Sequence, residues 1–259
     1  MEIGNILYLF IIFIVLLLAI FISLKLFSKK APAIVETEDR ITRKVVATRE
    51  HVLICGPNNC GKTALLNYLG TKEWRDTVSS VGVTKAQLSL QQTITDQGDS
   101  TTADGPTKKS FKAKFVDMPG YHHFSEQLLD AAEKASAILL ILDSNDRETF
   151  SQAVDFLYDS LLSSTRVVIE EKIPIMIVCN KQDLPSARRA VSIENEITSI
   201  MQSKLTTPGH ENTENESLKT QFNGRFEFKN VNDFIQICEA SVRNGNVDQI
   251  INFIAKHVQ

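Results

Sequence analysis

GPNNCGKT, residues 56–63, stands between the apolar run HVLIC (residues 51–55) and TALLNYLG (residues 63–70), whose apolar positions recur at helical spacing. Its form is G-x-x-x-x-G-K-[ST], with a strand expected before it and a helix after it. A loop in that setting wraps backbone N–H groups around a polyphosphate, and its glycines stand where side chains would block the approach. Lys62 supplies positive charge to the terminal phosphates and Thr63 offers a hydroxyl to Mg2+. The expected phosphate-binding set is therefore Gly56, Pro57, Asn58, Asn59, Cys60, Gly61, Lys62, Thr63 and Ala64. The pattern specifies a nucleoside triphosphate but not its base.

Downstream, strand and helix patterns alternate. KAQLSLQQT (residues 85–93) and SFKAKFVDM (residues 110–118) read as paired strands, and AILLILD (137–143), IPIMIVC (173–179) and FIQICEAS (234–241) as buried ones. Helices are expected around 125–137, 148–164, 192–204 and 247–258, with the first helix stopping at Gly70. Residues 94–109 read as a mobile polar loop, and residues 206–224 as loosely ordered. Nearly continuous apolar strands alternating with helices predict an α/β fold, a mostly parallel sheet with helices on both faces. Ligands of such sheets sit at the carboxyl ends of the strands. Gly56, Asp117, Asn180 and Glu239 all fall at that edge.

NKQD (residues 180–183) addresses the base. A guanine edge carries N1–H and N2–H2 donors that the Asp183 carboxylate can accept together, whereas adenine lacks that pair. The Lys181 stem can cover the ring, and Asn180 can tie this loop to the phosphate loop. GTP is the expected nucleotide. DMPG (residues 117–120) places Asp117 to hold Mg2+ through water and the Gly120 N–H to meet the γ-phosphate, a pattern suited to sensing the third phosphate.

Taken together, residues 56–63, 117–120, 180–183 and CEA (238–240) resemble the successive boxes of Ras-like small GTPases. The resemblance implies a first switch within DTVSSVGVT (residues 76–84), at Thr77, Val78, Ser79 and Ser80. Ser80 then takes the place of the Mg2+-binding threonine, with Thr77 and Thr84 as alternatives. It also implies that the Ala240 N–H reaches the guanine O6. The glutamine that usually follows D-x-x-G and orients the attacking water is here Tyr121. His122 and His123 come next; His122 is the candidate to take over, and an ordinary loop histidine is the alternative. Very slow intrinsic hydrolysis is expected. The lone Trp74 is expected to pack at the end of the first helix.

The N-terminus sets this chain apart from Ras relatives that attach by lipid. Residues 6–24, ILYLFIIFIVLLLAIFISL, carry no charge over nineteen residues, roughly 28 Å of helix and close to the hydrocarbon thickness of a bilayer. Glu2 precedes the run, and Lys25, Lys29 and Lys30 follow it, the reverse of a signal peptide; the positive-inside tendency puts the remainder in the cytosol. The expected organisation is a short lumenal segment (1–5), a transmembrane helix (6–24), a linker (25–49) and a GTPase domain (50–259). There is no glycine after Met1 for myristoylation and no C-terminal cysteine for prenylation.

A span ahead of such a domain, with WRDTVSS, DMPGYHHF, FLYDSLL and CNKQD, resembles the β subunits of the signal recognition particle receptor over essentially the whole chain. That resemblance implies anchoring in the endoplasmic reticulum membrane and a GTP-dependent grip on the receptor α subunit. The alternative is a membrane-anchored Arf-like GTPase switch in vesicle traffic. A net charge of −3 gives no sign of nucleic-acid binding, and four scattered cysteines without a C-x-x-C pair argue against a metal cluster or a disulfide framework.

Overall fold

A computed structural model describes residues 49–94, 107–120, 125–163, 166–206, 218, 222, 224–231 and 233–258. The predicted span at 6–24, nearly all of the linker, most of the loop at 94–109, and residues 121–124 lie outside them. Among the described residues no helix is long and apolar enough to cross a membrane.

Six strands form one sheet in the order β2-β3-β1-β4-β5-β6. They are β1 His51–Cys55, β2 Thr84–Ile94, β3 Thr107–Asp117, β4 Ala135–Asp143, β5 Ile175–Asn180 and β6 Ile235–Glu239. β2 pairs antiparallel with β3, and the other neighbours are parallel. The two-residue period of a strand divides the apolar runs between two cores. Leu53, Cys55, Ile138, Leu140, Leu142 and Ile177 face one layer, while Val52, Ile54, Leu139, Ile141 and Val178 face the other. This double burial explains why β4 and β5 read as uninterrupted hydrophobic stretches.

The second layer is covered by α1 Lys62–Thr71 and α6 Asp248–His257. The first is covered by α2 Ser125–Glu133, α3 Glu148–Asp155, the short α4 Arg166–Glu170 and α5 Ala190–Thr206. Register aligns the carboxyl ends of the strands: Ile54 lies opposite Asp117, Asp143 opposite Asn180, and Cys179 opposite Glu239. All four segments expected at this edge are brought to it.

Several boundaries differ from the sequence reading. α1 passes through Gly70 and ends at Lys72, which takes the left-handed conformation (φ 59°) while its N–H bonds Tyr68 O at 2.8 Å. Gly70 lies against β2, where a Cβ would stand 3.2 Å from Leu88 Cδ2 and that side-chain end would have to give by a few tenths of an ångström. α2 stops before Ala135, since Ala135 and Ser136 already belong to β4 beside His51, and Ser136 Oγ donates to His51 O at 3.0 Å. The helix expected over 148–164 changes its winding at Phe156 and continues to Ser163 as a π-helix. Its wider i→i+5 winding puts residues four to five apart on one face, so Leu157, Tyr158, Leu161 and Leu162 are all buried.

The stretch 206–224 is not uniformly loose. Leu218 and Phe222 are buried in the first core, and Phe222 meets Phe226 edge-on at 5.4 Å, which meets Phe228 at 5.3 Å. Two apolar anchors in a polar segment give no periodicity to read. Phe222→Ala should cost about 3 kcal/mol, as large-to-small core changes do, and a lowered urea midpoint with an unchanged m-value would register it. A midpoint equal to that of the parent would mean that this segment contributes nothing to the core.

Candidate nucleotide-binding cleft

The loop between β1 and α1 holds a backbone shape that only its own residue types allow. Gly56 has φ 130°, and a Cβ there would fall 2.2 Å from Ile141 O on β4. Gly61 has φ 92°, and a Cβ there would fall 2.5 Å from Asn180 Nδ2. Asn59 also has positive φ (60°), a conformation that asparagine tolerates better than other non-glycine residues. A Cβ on Gly120 would collide with Asn58 and Pro57, so D-x-x-G lies directly against the loop. The N-terminus of α1, without an acidic residue in its first turn, points its free N–H groups and positive dipole end into this concavity. Lys62 is 7% exposed and its ammonium donates to Pro57 O at 2.6 Å. Burial pulls its pKa down. An anion placed there gives this desolvated cation the partner it lacks.

Thr63, Ser80 and Asp117 converge beside it. Thr63 Oγ1 lies 2.6 Å from Ser80 Oγ and donates to Asp117 Oδ2 at 2.7 Å. Asp117 is fully buried, and its Oδ1 has no hydrogen-bond partner among the described residues. Burial raises its pKa, opposed by the Thr63 hydroxyl, Lys62 and Ser80. Two hydroxyls and a buried carboxylate with an orphaned oxygen form an all-oxygen donor set, which fits a hard divalent cation such as Mg2+. Of the three hydroxyl candidates in 76–84, Ser80 is the one at this junction; Thr84 instead opens β2. Thr77, Val78, Ser79 and Ser80 all line the cleft, a cavity of about 290 Å3.

At the base end, Asn180 is 2% exposed and holds both flanking loops. Its Nδ2 donates to Cys60 O at 2.8 Å, and its Oδ1 accepts the Val242 N–H at 3.1 Å. Lys181, at φ 66°, bonds Asp143 Oδ2 at 2.6 Å, which fixes its stem along the cleft wall. Asp183 Oδ1 accepts from Ser241 Oγ at 2.7 Å, and Ser241 Oγ in turn accepts the Asn244 N–H at 3.2 Å.

Ala240 does not reach the cleft. It is fully buried, and its N–H is engaged by Cys179 O at 3.0 Å. The residues of this loop that line the cavity are Val242 and Arg243. The closing box therefore runs two residues later than CEA suggests, with Ser241 and Val242 where Glu239 and Ala240 were expected, and the serine that steadies Asp183 was its signal. Glu239, at the end of β6, turns away to accept the Ala190 N–H at 2.9 Å and so caps α5.

Trp74 also departs from expectation. It lines the cleft at 39% exposure, with the Arg243 guanidinium 5.3 Å from its ring centre. An indole and a cation placed together at the mouth form a platform for a planar, polar ring. Tyr121, His122 and His123, the candidates for orienting water, lie outside the described residues. Cys55, Cys60, Cys179 and Cys238 are buried free thiols whose pKa values burial pushes upward, to about 12 for Cys55, Cys60 and Cys238. They are packing residues.

A sheet of this order, with a glycine-bounded phosphate loop, a D-x-x-G turn and an N-K-x-D loop gathered at its carboxyl edge, defines the Ras-like P-loop class. Residues 47–235 match the family model described as the signal recognition particle receptor beta subunit, and the chain belongs to that family. Relatives include signal recognition particle receptor subunit beta of Mus musculus, 26% identical across 78% of this chain and 72% of that protein. The Saccharomyces cerevisiae subunit is 31% identical across 58% of this chain and 56% of its own length. Among solved structures, the signal recognition particle receptor SRb-GTP/SRX complex from Chaetomium thermophilum matches at 20% identity with a TM-score of 0.56, covering 81% of this chain and 98% of that chain. At that identity the match speaks for the fold.

Asp117→Asn removes a buried charge whose second oxygen has no partner. It should raise the melting temperature of the nucleotide-free protein by about 2–4 °C, the equivalent of about 1 kcal/mol in a domain of this size. The same change should abolish the extra stabilisation that Mg2+ adds in the presence of GTP; calorimetry with and without Mg2+ reads both. Gly56→Ala should abolish nucleotide retention in a filter-binding assay, because the added methyl group meets the β4 backbone.

Proposed function

We propose that the chain is the GTP-binding, membrane-anchored subunit of a signal recognition particle receptor, and that its GTP form docks the receptor α subunit at the endoplasmic reticulum membrane. The observation that carries this reading is the junction of Thr63, Ser80 and Asp117. It joins the phosphate loop to a switch stretch whose neighbouring valines, Val78 and Val81, are 89% and 87% exposed. A triphosphate seats against the loop N–H groups and Lys62, while Asp183, oriented by Ser241, accepts the two guanine donors. Mg2+, held by Thr63, Ser80 and Asp117, would supply charge neutralisation between the phosphates. Ser80 draws its neighbours down while the valines face outward, an apolar pair suited to a protein partner.

The run at 6–24 supports a permanent anchor, and Tyr121 in the glutamine position supports slow turnover, so that the bound state matters more than the chemistry. A protein fixed in its bilayer does not cycle by release from the membrane, which favours docking over the Arf-like traffic reading.

The test uses the full-length chain in detergent, loaded with GTP or GDP, as bait for a detergent extract of its own cells. Mass spectrometry should find the receptor α subunit on the GTP form and not on the GDP form. Val81→Asp should cut that capture about tenfold, or about 1.4 kcal/mol, with GTP still bound in the same samples. Recovery of coat or tethering proteins without the α subunit would overturn the proposal in favour of a traffic GTPase.

A further inference from the structure

The switch stretch touches the phosphate loop at a second point, outside the Thr63–Ser80–Asp117 junction. Ser79 Oγ donates to Asn59 Oδ1 at 3.0 Å. Adjacent serines thus hold two different loop residues: Ser80 reaches Thr63 at the first turn of α1, and Ser79 reaches Asn59 in the middle of the loop. Asn59 suits this position on two counts. Its φ of 60° is one that asparagine accepts and glycine accepts more freely, so the backbone alone would be served by glycine. What asparagine adds is the carboxamide oxygen that receives Ser79. Both residues line the cleft, so the bond spans its mouth.

From this geometry we infer that the Asn59–Ser79 bond is a clasp that closes the switch stretch over the bound triphosphate independently of the metal. Asn59 and Ser79 are positioning residues: they hold Ser80 and the outward-facing Val78 in register with the phosphate loop. The inference rests on the nucleotide reading of the cleft. A hydrogen bond between exposed side chains contributes little to global stability, but here its two ends sit on segments that must separate before a nucleotide can leave. Its contribution therefore falls on the release rate.

Release of radiolabelled GTP and GDP from the full-length chain in detergent, with Mg2+ and with excess EDTA, tests this directly. Asn59→Gly keeps the loop backbone and removes the acceptor, and Ser79→Ala removes the donor. Each should speed GTP release about fivefold, or about 1 kcal/mol. The double variant should be no faster than either single one, and the factor should persist in EDTA. Ser79→Thr, which keeps the hydroxyl, should return release to within about twofold of the parent. Single variants that leave GTP release unchanged, or effects that multiply in the double variant, would overturn the clasp. A factor that disappears in EDTA would overturn its independence from the metal. A parent chain that retains neither nucleotide would instead remove the reading of the cleft on which the clasp depends.

Discussion

Asn180 sits at the point where the three loops of the cleft meet. One carboxamide donates to the phosphate loop at Cys60 O and accepts from the closing loop at Val242, while its own backbone leads into the N-K-x-D turn. Gly61 must lack a side chain because Asn180 Nδ2 stands 2.5 Å from where a Cβ would be. Parallel strands deliver these segments to one edge, but strand pairing alone does not set loop against loop. An amide engaged at both its nitrogen and its oxygen, with 2% exposure, does that, and it is costly to disrupt because a buried donor and acceptor would be orphaned together. The spacing between the phosphate loop, the N-K-x-D turn and the closing loop is set through this side chain.

The two buried ionisable groups of the phosphate loop and the D-x-x-G turn are held in tension by the fold. Lys62 and Asp117 are both buried, and desolvation shifts each toward its neutral form. Lys62 has a carbonyl for company, and Asp117 the Thr63 hydroxyl on one oxygen and, among the described residues, no partner on the other. Such groups weaken the empty protein and strengthen the occupied one, since a polyanion and a divalent cation supply the missing charges without reorganising the site. The orphaned oxygen and the low exposure are one design seen from two sides.

Much of this was legible in the sequence, for a physical reason. GPNNCGKT, DMPG and NKQD are contiguous, and each does its work within one turn of backbone, so spacing and residue type carry the information. The strands were legible because burial on both faces leaves continuous apolar runs. What escaped depends on distant partners. Ala240 and Val242 are told apart by distant partners, the Ala240 N–H going to Cys179 O and the Val242 N–H to Asn180 Oδ1. Trp74 and Arg243 are 169 positions apart and become a pair only when β6 lies beside β5. Leu218 and Phe222 are single apolar residues among polar ones, and the π winding after Asp155 leaves no period that differs from an α-helix over so short a span.

The chain has a single tryptophan, and it stands at the mouth of the cleft against Arg243 rather than in the core. Excited at the red edge, where tyrosine does not absorb, the protein therefore emits from that one location. A ring stacked near the indole, or a guanidinium drawn away from it, alters quantum yield and emission maximum without any added label. The fold has in effect placed its own optical probe at the mouth of the cleft, so the arrival and departure of a ligand there can be followed on the unmodified protein.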